Sequence, residues 1–193
     1  MPHRRFSQAI SEGDGISVIA AVEDADAARA AEAQRAEALV VRSDPRAVRD
    51  ATALPILWRA DVSLEEASQV ADAYLLVYES LDEERLEELH RQALDLGLDC
   101  VVDVRNEEEL EEALDVADPE IFLLSPRDAD GDDGPLEHVL DLLPSVPAGK
   151  LAIADLPLTT AEEIAHLEQA GFDAVIVSAR DISALAGGPP PVV

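Results

Sequence analysis

The sequence predicts an α/β protein whose strands and helices alternate and close into a barrel. Short apolar segments alternate with amphipathic helical segments along the 193 residues, which indicates repeated strand–helix units. The apolar segments are nearly continuous, as in parallel strands covered by helices. There are eight of them, and eight units favour closure. This pattern predicts a compact (β/α)8 TIM barrel with minimal loops; an open, doubly wound sheet is the alternative.

The predicted strands are apolar runs that end in polar residues. They cover residues 16–22, 38–41, 54–59, 73–78, 97–104, 120–124, 151–154 and 173–177. Each of the first seven is followed by a helix whose apolar residues recur at helical spacing. Four helices have a predicted N-terminal cap, at Ser63 with Glu66, Ser80 with Glu83, Asn106, and Thr160 with Glu163. Asp44-Pro45 starts a fifth helix, and an Ala-rich helix covers residues 26–36.

The length predicts how complete the barrel is. The chain is shorter than the ~250 residues typical of this fold, so we expect the eighth helix to be missing or truncated. Residues 1–15 form an N-terminal arm, 16–185 the barrel, and 186–193 a Gly/Pro-rich disordered tail. Without an eighth helix, the outer side of strands one and eight would be uncovered. We therefore expect a homodimer or a protein partner on that side.

The composition excludes several classes of partner. The formal net charge is −28, which disfavours binding to nucleic acid or to an anionic membrane. The acids are spread over all the helices, as in proteins of extreme halophiles. No secretory signal and no apolar stretch of ~20 residues is present, so we expect a cytoplasmic protein. Cys100 is the only cysteine and lies in an apolar run, where a buried thiol is expected.

Several phrases of the sequence, taken in order, resemble the indole-3-glycerol phosphate synthase family over about residues 6–183. They are FSQAI (6–10) with ISVIA (16–20), PIL (55–57), VDV (102–104) with NEEEL (106–110), RD (127–128), and EEI (162–164) with AGFDAV (170–175). The resemblance implies a tryptophan-pathway barrel that decarboxylates its substrate and closes an indole ring. It also implies a site at the C-terminal ends of the strands, where barrel enzymes carry their chemistry.

The resemblance implies which residues occupy that site. The catalytic candidates are Glu23, Asp103 and Asp155, and the substrate-binding candidates are Arg59, Ser125, Arg127 and Ser178. Many of these differ from the family pattern. Glu23 and Arg59 stand where the family has lysines, Ala21 and Asp103 where it has glutamates, and Ser125 where it has asparagine. Asp155 replaces another glutamate, while Leu156, Pro157 and Ser178 replace a serine and two glycines.

These replacements predict that the family's reaction has been lost. An arginine keeps its proton at neutral pH, so Arg59 can bind an anion but cannot act as a general acid. The only lysine, Lys150, precedes strand seven and therefore lies at the N-terminal face of the barrel. Pro157 and Ser178 also carry side chains, which keep a phosphate from approaching the backbone as closely as glycine permits.

Two interpretations of the barrel mouth remain open. Its acids and arginines could form a pocket for a small anionic metabolite, or a layer of mutually neutralising ion pairs that fills the mouth. The filled mouth favours a non-catalytic, regulatory or assembly protein. The open pocket favours a lyase that acts on a small carboxylate or phosphate, with Asp103 or Glu23 as base.

The remaining candidate sites favour structural roles. The acidic loop 128–134 begins like a calcium loop, but Val139 occupies the position of the bidentate glutamate, so we expect a solvated loop. No histidine pairs with another histidine or with Cys100 at metal-ligand spacing. We therefore predict no metal and no cofactor.

Overall fold

Eight parallel strands close into a barrel in the order β1 to β8, with β8 paired to β1, in the computed structural model of the protein. The structure describes residues 5–13, 15–59, 63–126, 134–158, 160–178, 180 and 182. The predicted closed barrel is confirmed, and the open sheet is excluded. The predicted acidic loop 128–134, apart from Gly134, and the predicted tail 186–193 lie outside the described residues.

The strands begin and end within two residues of their predicted bounds. They are β1 (Ser17–Val22), β2 (Ala38–Val41), β3 (Ile56–Trp58), β4 (Ala73–Val77), β5 (Asp99–Val104), β6 (Ile121–Leu124), β7 (Leu151–Ala154) and β8 (Ala174–Ser178). The α-helices are α1 (Phe6–Ser11), α2 (Ala25–Ala33), α3 (Arg46–Arg49), α4 (Leu64–Ala67), α5 (Glu83–Asp95), α6 (Glu107–Val116), α7 (Pro135–Leu142) and α8 (Ala161–Ala170). Because α3 and α4 are single turns, the helical layer is thin beside β2, β3 and β4.

Three helix caps lie where the sequence predicted them, and one does not. Asn106 accepts a hydrogen bond from the backbone N–H of Glu109 at 2.9 Å, and Thr160 with Glu163 forms the reciprocal capping box. Ser63 caps α4 through the N–H of Glu66. The predicted cap at Ser80 is wrong. Asp82 caps α5 by accepting from the N–H of Arg85 at 2.8 Å, because residues 78–80 form a 3₁₀ turn.

The core has two apolar layers. Side chains that point into the lumen include Ile19, Val40, Leu57, Val101 and Ile153, all buried. The alternate residues of the same strands pack against the helices, as the two-residue period of a strand requires. The inner layer lies beneath the polar residues at the C-terminal ends of the strands.

The N-terminal arm closes the base of the barrel. Phe6 and Ile10 of α1 are buried among the lumen residues. The N–H of Ser7 donates to Asp99 Oδ2 at 2.8 Å, and Ser17 Oγ donates to the carbonyl of Ile10 at 3.2 Å. The arm therefore fills the lumen from below instead of covering the outer side of β1 and β8.

The outer side of β1 and β8 is buried in the described part of the chain. The outward side chains of Val18, Ala20, Val175 and Val177 are at most 9% exposed, and Ile182 packs in the same cluster. An exposed apolar patch was expected there if no helix covered it, and no such patch is found among the described residues. Ile16, which precedes β1, also packs against this cluster.

Three acids at the base recur at equivalent positions. Each precedes an even-numbered strand, accepts the N–H of a residue on the previous strand, and donates its own N–H to the carbonyl of that same residue. The pairs are Glu37 with Val18 (2.8 and 3.0 Å), Asp72 with Ile56 (2.9 and 2.9 Å), and Asp173 with Ala152 (2.8 and 3.0 Å). Each acid therefore satisfies a backbone N–H that would otherwise lack a partner where the strand begins. Burial raises the pKa of Asp173.

No helix among the described residues has the length and hydropathy needed to cross a membrane.

Candidate functional site

Three charged side chains converge at the C-terminal end of the lumen. Asp103 lies on β5 and Asp155 follows β7, each two residues after a lumen side chain, Val101 and Ile153. The two-residue period of a strand therefore directs both carboxylates inward. Arg59 follows β3, and its N–H donates to the carbonyl of Val41 on β2 at 2.8 Å, so the β2–β3 ladder fixes its backbone.

Arg59 bridges the two acids. Its Nη1 lies 2.5 Å from Asp155 Oδ2, and its Nη2 lies 3.6 Å from Asp103 Oδ2. The Asp103 side chain is fully buried, whereas the side chains of Arg59 and Asp155 are each 18% exposed. The Arg59 guanidinium thus forms a close ion pair with Asp155 and a longer one with Asp103. Among the described residues, these contacts are those expected of an ion-pair layer.

The other predicted site residues have different surroundings. Ser125 directly follows β6 and is 2% exposed, which places it in the same buried layer. Ser178 is the last residue of β8 and is exposed. Glu23 follows β1, is exposed, and is not among the acids paired with Arg59 in the described part of the chain. Arg127 lies outside the described residues.

The only lysine lies at the opposite end of the barrel, as the sequence predicted. Lys150 precedes β7, and its Nζ forms an ion pair with Asp118 Oδ1 at 2.6 Å. Asp118 precedes β6, so this pair joins two strand starts at the base. The lysine therefore holds the base together and is remote from Arg59.

A second polar cluster on the outer rim was not predicted from the sequence. Arg105 follows β5, binds Glu109 of α6 through its side chain and its backbone N–H, and pairs with Glu79 at 2.8 Å. Tyr78 donates a hydrogen bond to Glu112, and burial together with this bond raises the pKa of Tyr78. We call Tyr78, Glu79, Arg105, Glu109 and Glu112 the rim cluster. The four-residue spacing of Arg105 and Glu109 was the available signal.

Sequence similarity to known proteins shows the family of the chain. The sequence profile of the indole-3-glycerol phosphate synthase family matches residues 21–182, which include all the charged residues of the mouth. The chain belongs to the indole-3-glycerol phosphate synthase family. The match begins at Ala21, so α1, which closes the base, lies outside it.

Curated indole-3-glycerol phosphate synthases align with much of the chain. The protein from Geobacillus sp. (strain WCH70) is 34% identical over 166 residues, which cover 78% of this chain and 64% of the relative. The protein from Pelodictyon phaeoclathratiforme is 35% identical over 131 residues, 64% of this chain and 50% of the relative. The chain thus spans about half to two thirds of the length of these synthases.

Solved structures share the barrel at low sequence identity. The N-acetylmannosamine-6-phosphate 2-epimerase from Clostridium perfringens matches with a TM-score of 0.72 and 15% identity, over 92% of this chain and 90% of that protein. A mutant tryptophan synthase alpha-subunit from Pyrococcus furiosus matches with a TM-score of 0.69 and 14% identity, over 89% of this chain and 98% of that one. At these identities, the similarity shows the fold alone.

The family match confirms one prediction made from the sequence and concerns the residues at the mouth. Indole-3-glycerol phosphate synthase was the family that the sequence phrases resembled, so that prediction is confirmed. Within this family, the described mouth brings together Arg59, Asp103, Asp155 and Ser125 and leaves Glu23 and Ser178 in exposed positions. The described part of the mouth therefore contains a guanidinium, two carboxylates and a hydroxyl group.

Proposed function

We propose that this member of the indole-3-glycerol phosphate synthase family does not catalyse the ring-closing decarboxylation and has a regulatory or assembly role. The observation that supports the proposal is the bridge of Arg59 to Asp155 at 2.5 Å and to Asp103 at 3.6 Å. A filled, ion-paired mouth was the arrangement expected of a non-catalytic barrel. The bridge occupies the charged groups that a phosphorylated substrate would need.

The proton chemistry supports the same proposal. Dehydration and ring closure need a group that gives up a proton at neutral pH, and a guanidinium does not. Lys150 is held by Asp118 at the base, so it cannot replace a lysine at the mouth.

A lyase acting on a small anion is the second candidate, and one observation favours it. Asp103 is a fully buried carboxylate in the lumen, beside a cation, and buried carboxylates at barrel mouths can serve as bases. In this mechanism, a substrate carboxylate or phosphate takes the place of Asp155 on Arg59. Asp103 then removes a proton from the bound substrate, with Ser125 as a neighbouring hydrogen-bonding group.

One experiment separates the two candidates. The purified protein at high salt is incubated with the family's phosphorylated substrate, and indole-ring formation is followed by fluorescence, with the Geobacillus synthase as positive control. We expect no product from this chain. Product formation that Asp103→Asn abolishes would contradict the proposal and support the lyase.

A binding measurement completes the test. A ligand at 100 times its dissociation constant should stabilise the protein by about 2.7 kcal/mol. We expect indole-3-glycerol phosphate to leave the unfolding midpoint unchanged. A shift that Arg59→Ala abolishes would show that an anion does reach the mouth.

The proposed assembly role needs a measurement of its own. We propose that the barrel assembles with a second copy or with a partner protein in the cytoplasm of a high-salt cell. The dispersed negative charge supports this environment, because it keeps a protein dissolved when salt screens charges strongly. Light scattering at high salt should give a mass above 20.6 kDa. A monodisperse monomer would exclude the homodimer.

A further inference from the structure

A cleft of about 350 Å³ lies at the base of the barrel, at the end opposite the mouth. Its walls are Arg5 before α1, Arg49 at the end of α3, and the segments 68–72 and 96–98, which precede β4 and β5. All of these lie at the N-terminal ends of the strands. We call this cavity the base cleft.

The lining of the base cleft carries more positive than negative charge. Its charged residues are Arg5, Arg49 and Asp72, so two cations stand against one acid. At the mouth, by contrast, one arginine is paired with two acids. In a chain whose formal net charge is −28, a local excess of positive charge favours a small anion at this place.

The two arginines of the base cleft differ in what they already bind. Arg49 is fixed, because its Nη1 lies 2.7 Å from Asp72 Oδ2 and its Nη2 donates to the carbonyl of Leu54. The side chains of Arg49 and Asp72 are only 18% and 14% exposed. Arg5 is exposed, and it has no ion pair within the described ranges. Arg5 is therefore the cation that a ligand can bind, and the Arg49–Asp72 pair is a fixed wall of the cleft.

The backbone of Arg5 is held beside the base cleft. The next residue, Phe6, is fully buried among the lumen side chains. The N–H of Ser7 donates to Asp99 Oδ2 at 2.8 Å, and the buried Asp99 does not line the cleft. The carbonyl of Arg5 accepts the N–H of Ala9 at 3.0 Å. Binding therefore has to order only the side chain of Arg5, which lowers its entropic cost.

Charge, size and lining together define the class of ligand. Val70 and Leu96 add apolar surface to the cleft, and Leu96 is 37% exposed. One carboxylate matches the planar guanidinium of Arg5, whereas a dianion would be repelled more strongly by Asp72. We propose that the base cleft binds a small organic monocarboxylate, with its carboxylate on Arg5 and its apolar part against Leu96. A bound ligand would join the segment before α1 to the starts of β4 and β5.

This site is separate from the one at the mouth. The family profile matches residues 21–182, so Arg5 lies outside it. The base cleft shares no lining residue with the Arg59 bridge. The inference therefore goes beyond the proposed function and does not depend on it.

Three probes with one carbon skeleton test the charge argument. Isovalerate, isovaleramide and isoamylamine are respectively negative, neutral and positive at pH 7. Each is titrated into the full chain at the lowest KCl concentration at which circular dichroism shows a folded protein, and methyl resonances are followed by NMR. We expect isovalerate to give saturable shifts of Val70 and Leu96, and the amide and the amine to bind at least tenfold more weakly. Leu123 of β6 and Leu140 of α7 should not shift. Equal affinities, no saturation, or shifts located elsewhere would each overturn the proposal.

Two arginine variants provide the matched control. Arg5→Gln and Arg29→Gln each remove one exposed positive charge, but Arg29 is on α2 and does not line the base cleft. We expect Arg5→Gln to bind isovalerate at least tenfold more weakly and Arg29→Gln to bind it normally. Unchanged binding in a folded Arg5→Gln protein, or equal weakening in both variants, would contradict the site. If Arg5→Gln does not fold, the wild-type series of three probes decides the question alone.

Discussion

Arg59 and Asp155 form an ion pair across the lumen, with Nη1 and Oδ2 2.5 Å apart. They follow β3 and β7, which are four strands apart in a closed barrel of eight and so lie on opposite sides. Asp103 on β5, midway between them, completes the bridge. The contact is thus a brace across the top of the barrel.

Breaking this brace should destabilise the protein. Arg59→Met leaves the buried Asp103 carboxylate without its guanidinium, and removing one partner of a buried pair costs about 3–5 kcal/mol. We expect a loss of about 3 kcal/mol, the lower end of that range, because Arg59 and Asp155 retain some contact with water. Urea unfolding at pH 7 measures the change.

A pair on the surface supplies the control for that measurement. Arg85 pairs with Glu88 at 2.6 Å, but both side chains are more than half exposed. Arg85→Met should therefore change the free energy of unfolding by only about 0.5 kcal/mol. Equal losses in the two variants would show that the bridge does not brace the barrel.

Residue types at the strand ends were enough to predict acids and arginines at the mouth, but not which of them would pair. The sequence placed Arg59, Asp103 and Asp155 after apolar strands, and the strand period then directed them inward. It could not distinguish them from Glu23, which also follows a strand yet lies exposed, because the direction of the chain after a strand depends on the packing of the next helix.

Packing also decided the features that the sequence misassigned. Ser80 with Glu83 has the spacing of a capping box, but the rim cluster holds residues 78–80 in a 3₁₀ turn, so the cap moves to Asp82. In the sequence, Phe6 and Ile10 form only a short apolar patch. Their place in the base of the lumen depends on contacts with residues far along the chain, which local patterns do not contain.

Asp173 should make stability depend on pH in a specific direction. Burial raises its pKa above 3.8 in the folded protein, so the folded state holds this proton more tightly than the unfolded state does. The associated stabilisation is present at low pH and is lost as the pH rises through the raised pKa. Asp173→Asn keeps an oxygen for the N–H of Ala152 and removes the titration. Its stability relative to wild type should therefore increase between pH 3 and pH 7.

Asp173→Ala separates the hydrogen bond from the charge. It removes the acceptor at 2.8 Å from the N–H of Ala152, which should cost about 1–2 kcal/mol relative to Asp173→Asn at every pH. Denaturant unfolding of the three proteins across the pH range gives both effects. A constant difference between Asp173→Asn and wild type would refute the assigned titration.

Cys100 should be unreactive in the folded protein. Burial, with a smaller effect of the neighbouring Asp99, raises the pKa of Cys100 to about 12, and the thiolate is the reactive form. Iodoacetamide at pH 8 should therefore leave the native protein unmodified and alkylate it fully in guanidinium chloride. Because this is the only cysteine, intact mass spectrometry reads the result directly. Rapid labelling of the native protein would mean that β5 opens readily.

Salt should stabilise the fold through its surface charge. With a formal net charge of −28, the acids repel one another on average, and the screening length falls from about 10 Å at 0.1 M salt to about 3 Å at 1 M. We expect the unfolding midpoint to rise between 0.1 and 2 M KCl, because the folded state brings these charges closer together than the unfolded chain does.

The exposed Glu87 of α5 and Glu111 of α6 lie on helices that pack together. Replacing both with Gln should raise the midpoint at low salt and flatten its salt dependence, whereas replacing the exposed, uncharged Gln69 with Ala should leave the slope unchanged. A midpoint that falls with KCl would mean that the ion pairs, including the Arg59 bridge, outweigh the repulsion among the remaining acids.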